Sequence, residues 1–184
     1  MSTRIPLTDA AALDESVRAQ LAQRPPIHLY RMVAHAPGLL GPFMALGAAQ
    51  FNTTVLPAAC REALVLRVAM HHRSAYEIHH HRRMALDAGL SVEAVEALLA
   101  GARHSPAWSP ALQDLAAFTD ELVAGQDPES SRVERIVAAY GHRGYVEAAL
   151  VVGFYRMVAT FIQATGLEPE YEDIVGAWRR AHAG

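Results

Sequence analysis

The chain has 184 residues, of which 52% are hydrophobic and 19% are charged, and its formal net charge is −3. This length predicts one domain over residues 1–184, and the apolar composition predicts a homo-oligomer that buries surface between copies. A weakly negative chain with scattered arginines lacks the basic surface that binds phosphate backbones, so we expect no nucleic-acid partner. No stretch has the roughly twenty apolar residues of a membrane span, and the N-terminus does not resemble a secretory signal. We therefore expect a cytoplasmic protein without a membrane partner.

Cys60 is the single cysteine of the sequence. An intrachain disulfide, a thiolate zinc cluster and a CxxC redox pair are therefore excluded. A lone cysteine in apolar surroundings is usually a packing residue.

Helical periodicity dominates the N-terminal half of the chain. Residues 9–24 have apolar side chains near a 3.6-residue period, and two prolines end this predicted helix. A second helix is predicted for residues 37–51. Pro57 fits the first turn of a third helix, whose body "REALVLRVAM" is apolar almost all round. This third helix should be central and buried.

Serine capping signals divide the following residues. Ser74 is a predicted N-cap for a helix over residues 75–88, and Gly89 follows it as a C′ residue. Ser91 is predicted to cap a short helix that ends at Leu99.

Further start signals continue to the C-terminus. Ser109 is predicted to cap a helix over residues 110–124, and Ser131 and Glu134 have the spacing of a capping box. The apolar residues 145–165 contain two charged residues, which favours a buried core helix over a membrane span. Because no run alternates with period two, we predict an all-α fold.

The segment "HHRSAYEIHHHRRMALDAGLS", residues 71–91, holds half of the ten histidines. On a helix with about 100° per residue, Glu77 and His81 share a stripe that contains apolar side chains. His79 and His80 point elsewhere, and we interpret them as solvated or interface residues. The cluster is therefore not one site, and His81 is its informative member.

Three ionisable residues are predicted to be buried together. The i, i+4 spacing lets Glu77 hold the His81 ring in one tautomer and raise its pKa, so that His81 exchanges a proton near neutral pH. Glu62 lies in the apolar third helix and would complete a proton-relay pocket. The structural alternatives are a Glu77–His81 pair that joins two helices and a salt bridge of Glu62 with an arginine such as Arg67 or Arg73.

A metal site is a further alternative. Glu62, Glu77 and His81, with His71 or His72, would offer ligands that suit zinc, manganese or iron. Their spacing matches no HExxH or paired Glu-x-x-His signature. We therefore predict no metal and no cofactor.

Several segments resemble the carboxymuconolactone decarboxylase and alkylhydroperoxidase D (AhpD-like) superfamily. They are "REALVLRVA", "SAYEIHHH" and "ALDAGLSVEAVEAL", framed by "RIPLTD", "APGLLGPFMALG" and "VVGFYRMVATFIQATGLEPE". The resemblance covers nearly the whole chain. It implies an AhpD-like bundle of antiparallel helices that forms dimers, trimers or hexamers with sites near subunit contacts.

The peroxidase branch of this superfamily has a glutamate, a CxxC pair and a histidine four residues after the second cysteine. By resemblance these positions fall on Glu62, Ser74, Glu77 and His81, and a relay position falls on Tyr76. Neither Ser74 nor Glu77 forms a thiolate or a disulfide. Peroxidase chemistry by the family's dithiol mechanism is therefore excluded.

The remaining residues look more like the decarboxylase branch, which protonates a carbon after carbon dioxide leaves. The resemblance implies that His81 moves the proton while Glu77 orients it and Glu62 completes the relay. Hydrogen bonds from Ser74 and Tyr76 and a carboxylate-binding role for Arg73 are also implied. We expect a cofactor-independent lyase or isomerase acting on a small carboxylated or enolisable compound. The alternatives are a peroxidase-related protein that has lost its redox cysteines and a non-catalytic helical oligomer that binds a ligand or partner.

Overall fold

The computed structural model describes residues 3–170 and 174–181, which contain helices and no strand. The all-α prediction is confirmed. After a 3₁₀ turn at Ala10–Ala12, the helices are α1 (Glu15–Ala22), α2 (His28–Val33), α3 (Pro37–Asn52), α4 (Ala58–His72), α5 (Ala75–Asp87), α6 (Val92–Leu99), α7 (Pro110–Val123), α8 (Ser130–Thr165) and α9 (Ile174–Ala181). The described residues within 1–48 and 162–184 form one compact unit, and residues 49–161 form a second. The single domain expected from length stays a prediction.

Helix α4 is the centre of the second unit. Its residues 60–69 are all buried, and the helix packs against α5, α6 and α7. This burial explains the nearly continuous apolar sequence, since each fully buried aliphatic side chain contributes about 1.5 to 3 kcal/mol relative to an exposed one. Arg67, also buried, donates to both carboxylate oxygens of Asp120 on α7, at 2.6 and 2.7 Å. The predicted central helix is confirmed.

Serine caps set the starts of three helices around α4. The hydroxyl groups of Ser74, Ser91 and Ser109 accept hydrogen bonds from the backbone N–H groups three residues later, at 3.4, 3.1 and 3.2 Å. Gly89, just after α5, has a φ of 98°, which glycine adopts without steric cost. These predicted boundaries are confirmed to within one residue.

The N-terminal prediction is wrong in detail. Residues 9–24 form a 3₁₀ turn and then α1, because two aspartates start separate elements. The Asp9 side chain accepts from the Ala11 N–H at 3.0 Å, and the Asp14 carbonyl accepts from the Val17 N–H at 3.0 Å. The Asp9 bond is a side chain-to-backbone bond of the kind that competes with a continuous helix, and the Asp14 bond is a backbone bond of the first turn of α1. The sequence prediction also missed α2.

The predicted capping box at Ser131 and Glu134 is wrong. Helix α8 begins at Ser130, and the backbone carbonyl of Glu129 accepts from Arg132 N–H at 2.9 Å. The Ser131 hydroxyl donates to the Glu129 carboxylate instead of capping the helix. Gly141, at φ 70° and ψ 173°, breaks α8 into two helical segments; a φ in this region is accessible chiefly to glycine.

Among the described residues, α8 is the one helix whose length and apolar composition would allow it to cross a membrane. Its charged residues make specific contacts inside the second unit. Glu147 accepts from the Val55 N–H at 2.7 Å, and Arg156 donates to the Leu122 carbonyl at 2.7 Å. These contacts favour the interpretation of α8 as a core helix.

Candidate active site

Glu62 lies in the second turn of α4 and has no solvent exposure. Its Oε2 is 2.8 Å from Nδ1 of His81 on α5. Its Oε1 accepts from Nε of Arg61 at 3.2 Å. Both oxygens of this buried carboxylate are therefore partnered, as the cost of burying a charge requires.

Arg61 supplies the positive charge beside Glu62. Its side chain is 9% exposed, its Nη1 donates to the Gln50 carbonyl at 3.4 Å, and its guanidinium lies 4.5 Å from the centroid of the Phe51 ring. The sequence prediction missed Arg61 and named Arg67 or Arg73 as partners of Glu62. The available signal was a second charged residue, adjacent to Glu62, in a helix without a polar face.

His81 lies between two carboxylates. A carboxylate only accepts hydrogen bonds, so the bond to Glu62 places a hydrogen on Nδ1. On the other side of the ring, Nε2 is 3.4 Å from Oε2 of Glu77. This Glu77 oxygen is buried and makes no hydrogen bond. The ring of Tyr155 packs against the imidazole of His81 at nearly a right angle, and the two ring centroids are 5.0 Å apart.

The local charges favour one shared proton between His81 and Glu77. Burial favours the neutral imidazole, but the hydrogen bond to Glu62 and the negative charges of Glu77 and Glu62 outweigh it and raise the pKa of His81. Burial also raises the pKa of Glu77, against the opposing charge of His81. With the Glu62 carboxylate and the Arg61 guanidinium present, the cluster is neutral whether the proton lies on Nε2 or on Glu77. The two positions of the proton differ as an ion pair and a neutral pair, but not in the net charge of the cluster.

The geometry differs from the roles expected for the two glutamates. Glu62, not Glu77, makes the 2.8 Å hydrogen bond that fixes the orientation of the ring. Glu77 lies across the Nε2 atom, at 3.4 Å. This difference arises because α4 and α5 pack face to face, whereas the i, i+4 spacing within α5 brings Glu77 only to 3.4 Å.

The other predicted site residues have separate surroundings. The Ser74 hydroxyl is buried and caps α5. Tyr76 is buried, with its ring centroid 4.6 Å from that of His80. Arg73 is exposed and adopts a left-handed conformation at the end of α4, with a φ of 51°. No contact described for Arg73 joins it to Glu62, Glu77 or His81, so its substrate-binding role stays a prediction, as do the roles of Ser74 and Tyr76.

The alternative metal set is divided between two places. His71 pairs with Asp120 at 2.7 Å, away from the contacts that hold His81. Across residues 3–170 and 174–181, no group of three or more His, Cys, Asp or Glu side chains has an arrangement that could hold a metal ion. Cys60 Sγ lies 3.2 Å from the Tyr140 hydroxyl, and burial raises the pKa of its thiol.

The fold and the cluster define a class: an all-α protein with a buried Glu–His–Glu arrangement on two packed helices and no dithiol. Residues 37–121 match the model of the carboxymuconolactone decarboxylase family. This match confirms the family resemblance and covers the helices that carry the cluster. A comparison with curated protein sequences finds no match.

Solved structures share the fold. An uncharacterised peroxidase-related protein from Ralstonia eutropha JMP134, described as an alkylhydroperoxidase AhpD core, is 15% identical with a TM-score of 0.81, over 94% of both chains. A second uncharacterised peroxidase-related protein, from Silicibacter sp. TM1040, is 17% identical with a TM-score of 0.77, over 96% of this chain and 94% of the other. The debrominase Bmp8, in complex with 2,3,4-tribromopyrrole, is 14% identical with a TM-score of 0.75, over 98% of both chains. At these identities the likeness shows the AhpD-like fold.

Proposed function

We propose that this protein is a cofactor-independent acid–base catalyst, a lyase or isomerase that acts on a small carboxylated or enolisable compound. The observation that carries the proposal is the position of His81 between two buried carboxylates. One carboxylate fixes the Nδ1–H, and the other lies across Nε2. This arrangement leaves one proton to exchange at a defined atom.

In a decarboxylation, the bond between the substrate carbon and its carboxylate breaks and carbon dioxide leaves. The electron pair remains on the carbon as an enolate, which takes a proton from Nε2 of His81. The cluster is then one proton short and regains it from water. In an isomerisation, Nε2 removes a proton from one carbon and returns it to another. In both cases Glu62 stabilises the imidazolium through Nδ1–H.

A second candidate function is a non-catalytic helical oligomer. The near-complete burial of Glu62, Glu77 and His81, at 0%, 3% and 7% exposure, favours it. In that case the cluster joins α4 to α5 and specifies their register. Buried ion pairs of this kind serve specificity in some proteins without any catalytic role.

The test is decarboxylation of a carboxymuconolactone, together with deuterium exchange from solvent into enolisable lactones. We expect His81→Gln to lower turnover by about 10²- to 10⁴-fold, which is the usual contribution of a positioned acid or base. His142→Gln is the matched control, because His142 is an exposed histidine on α8, and its activity should equal that of the wild type.

Two results would contradict the catalytic proposal. One is undiminished turnover in His81→Gln. The other is a wild-type protein that neither decarboxylates nor exchanges deuterium with any compound of this class, which would support the non-catalytic oligomer.

We also propose that copies of the chain associate through an apolar stripe on α8. Val146, Leu150 and Met157 are 54%, 58% and 49% exposed. Together with the exposed Gly153 they follow a spacing of four, three and four residues, which places them on one face of the helix. Such a seam is typical of helix pairs between subunits.

Val146→Glu should lower the solution mass measured by light scattering, because the charge would lie in the proposed interface. Val92→Glu is a matched control: Val92, on α6, has the same 54% exposure, and this variant should keep the wild-type mass. An identical mass for all three proteins would exclude this interface.

A further inference from the structure

A cavity of about 330 Å³ lies in the first unit, separate from the Glu62–His81–Glu77 cluster. Its size falls in the range of pockets that hold small molecules, about 300 to 1,000 Å³. Helices α1, α2 and α9 and the segments that precede α1 and α2 contribute its walls.

The walls are largely apolar and partly rigid. Leu13, Leu21 and Ile27 contribute aliphatic surface, and Tyr30 and Trp178 contribute aromatic rings. Pro25 and Pro26 also line the cavity, and the Pro25 carbonyl accepts from the Ile27 N–H at 2.8 Å. Proline fixes its own φ, so this wall is preformed.

A pair of hydrogen bonds closes one side of the cavity. Thr8 donates through its hydroxyl to the Arg31 carbonyl at 2.7 Å, and Arg31 Nη2 donates to the Thr8 carbonyl at 3.0 Å. The N-terminal segment is thereby attached to α2. The cavity therefore has a fixed shape on this side as well.

Among the described residues of the chain, three arginines and no acidic residue line the cavity. Arg18 pairs with Glu15 and with the Leu13 carbonyl, and Arg31 is held by Thr8. Arg24 is only partly exposed, and its guanidinium has no ion-pair or hydrogen-bond partner among the residues that the structure describes. An apolar cavity with an uncompensated guanidinium favours a ligand that is apolar and carries one anionic group.

We propose that this cavity binds small amphipathic carboxylates, with the apolar body against Pro25, Tyr30 and Trp178 and the carboxylate on Arg24. Guanidinium groups bind carboxylates through two parallel N–H donors, which gives orientation as well as affinity. This site is independent of the proposed acid–base chemistry. It would give the protein a second ligand-binding function.

The experiment is calorimetric titration with 2-naphthoate and with 2-naphthalenemethanol, a neutral compound with the same ring system. We expect 2-naphthoate to bind the wild type with one site per chain and at least about tenfold more tightly than the alcohol. Arg24→Gln should weaken naphthoate binding by about tenfold, as expected for the loss of one charge-assisted contact, and should leave alcohol binding unchanged. Arg24→Lys keeps the charge but loses the two-donor geometry. Its affinity for naphthoate should lie between those of the wild type and Arg24→Gln.

Arg103→Gln is the matched control, since Arg103 is an exposed arginine in the second unit, and it should bind naphthoate as the wild type does. Binding retained in His81→Gln would place the ligand outside the candidate active site. The proposal would be overturned by no naphthoate binding at millimolar concentration, by equal affinity for the alcohol, by loss of binding in His81→Gln, or by an Arg24→Gln variant that binds like the wild type.

Discussion

Glu62→Ala should lower the free energy of unfolding by roughly 3 to 5 kcal/mol, the usual cost of breaking a buried ion pair by removing one partner. The substitution leaves the Arg61 guanidinium without its carboxylate and His81 without the acceptor of its Nδ1–H. It also leaves space in a part of α4 that is fully buried. Urea unfolding measured at pH 7 tests this prediction.

Glu96→Gln is the matched control for the Glu62 variants. Glu96 pairs with Arg82 across α5 and α6, but both side chains are about half exposed, at 51% and 46%. An exposed pair of this kind contributes about 0 to 1 kcal/mol. If Glu62→Ala were no more destabilising than Glu96→Gln, the prediction that the buried contacts of Glu62 stabilise the fold would be wrong.

Glu62→Gln removes the negative charge of the side chain but keeps its shape, so it separates the effects of the two. The amide keeps one acceptor oxygen, which Arg61 would retain, and it then turns its NH₂ group towards Nδ1 of His81. Two donors cannot face each other, so we expect the imidazole to change tautomer and carry its hydrogen on Nε2, beside Glu77. Nitrogen chemical shifts of the ring measure this change. A ring that kept Nδ1–H in this variant would contradict the orienting role of Glu62.

Helix boundaries were predictable where one residue alone determines them. Ser74, Ser91 and Ser109 each accept a hydrogen bond from a backbone N–H group in the first turn of the following helix. At Ser131 the Glu129 carboxylate takes the hydroxyl, and the helix starts earlier. Spacing alone could not show this competition, because it depends on where the preceding residues turn.

The members of the candidate site were more predictable than their roles. Helical periodicity placed Glu62, Glu77 and His81 on inward stripes, and they are buried together. Which carboxylate reaches which nitrogen depends on how α4 and α5 pack, and periodicity within one helix carries no information about that. Arg61 was missed for the same reason, since its side chain turns towards the buried Glu62 although it precedes it by one residue.

Between about pH 6.5 and 8.5, the free energy of unfolding should fall as the pH rises, and His81 should account for much of the decrease. The folded-state pKa of His81 is raised above its unfolded value of about 6.5. Its stabilising contribution is therefore complete below pH 6.5 and is lost as the pH rises through the folded pKa. Each unit of elevation corresponds to about 1.4 kcal/mol.

Glu77 acts in the same direction, since burial also raises its pKa. Its contribution to the free energy of unfolding begins to be lost as the pH rises above its unfolded-state pKa of about 4.3. His72 acts in the opposite direction, because burial lowers its pKa, so its contribution is gained as the pH rises and is nearly complete above about pH 7. The interval from pH 7 to 8.5 therefore avoids the opposing contribution of His72. Towards pH 8.5 Cys60 adds to the decrease, because burial raises the pKa of its thiol and an unfolded thiol is about half ionised at that pH.

Urea unfolding of the wild type, His81→Gln and His72→Gln at pH 7, 7.8 and 8.5 measures these contributions. His81→Gln carries no titrating ring, so we expect a smaller loss of stability over this interval, whereas His72→Gln should lose stability as the wild type does. A wild type whose stability rises with pH, or a His81→Gln variant with an unchanged slope, would show that the buried cluster does not hold its extra proton at His81. Because that same proton is the one proposed to reach the substrate, the measurement tests this premise of the acid–base proposal without requiring the substrate to be known.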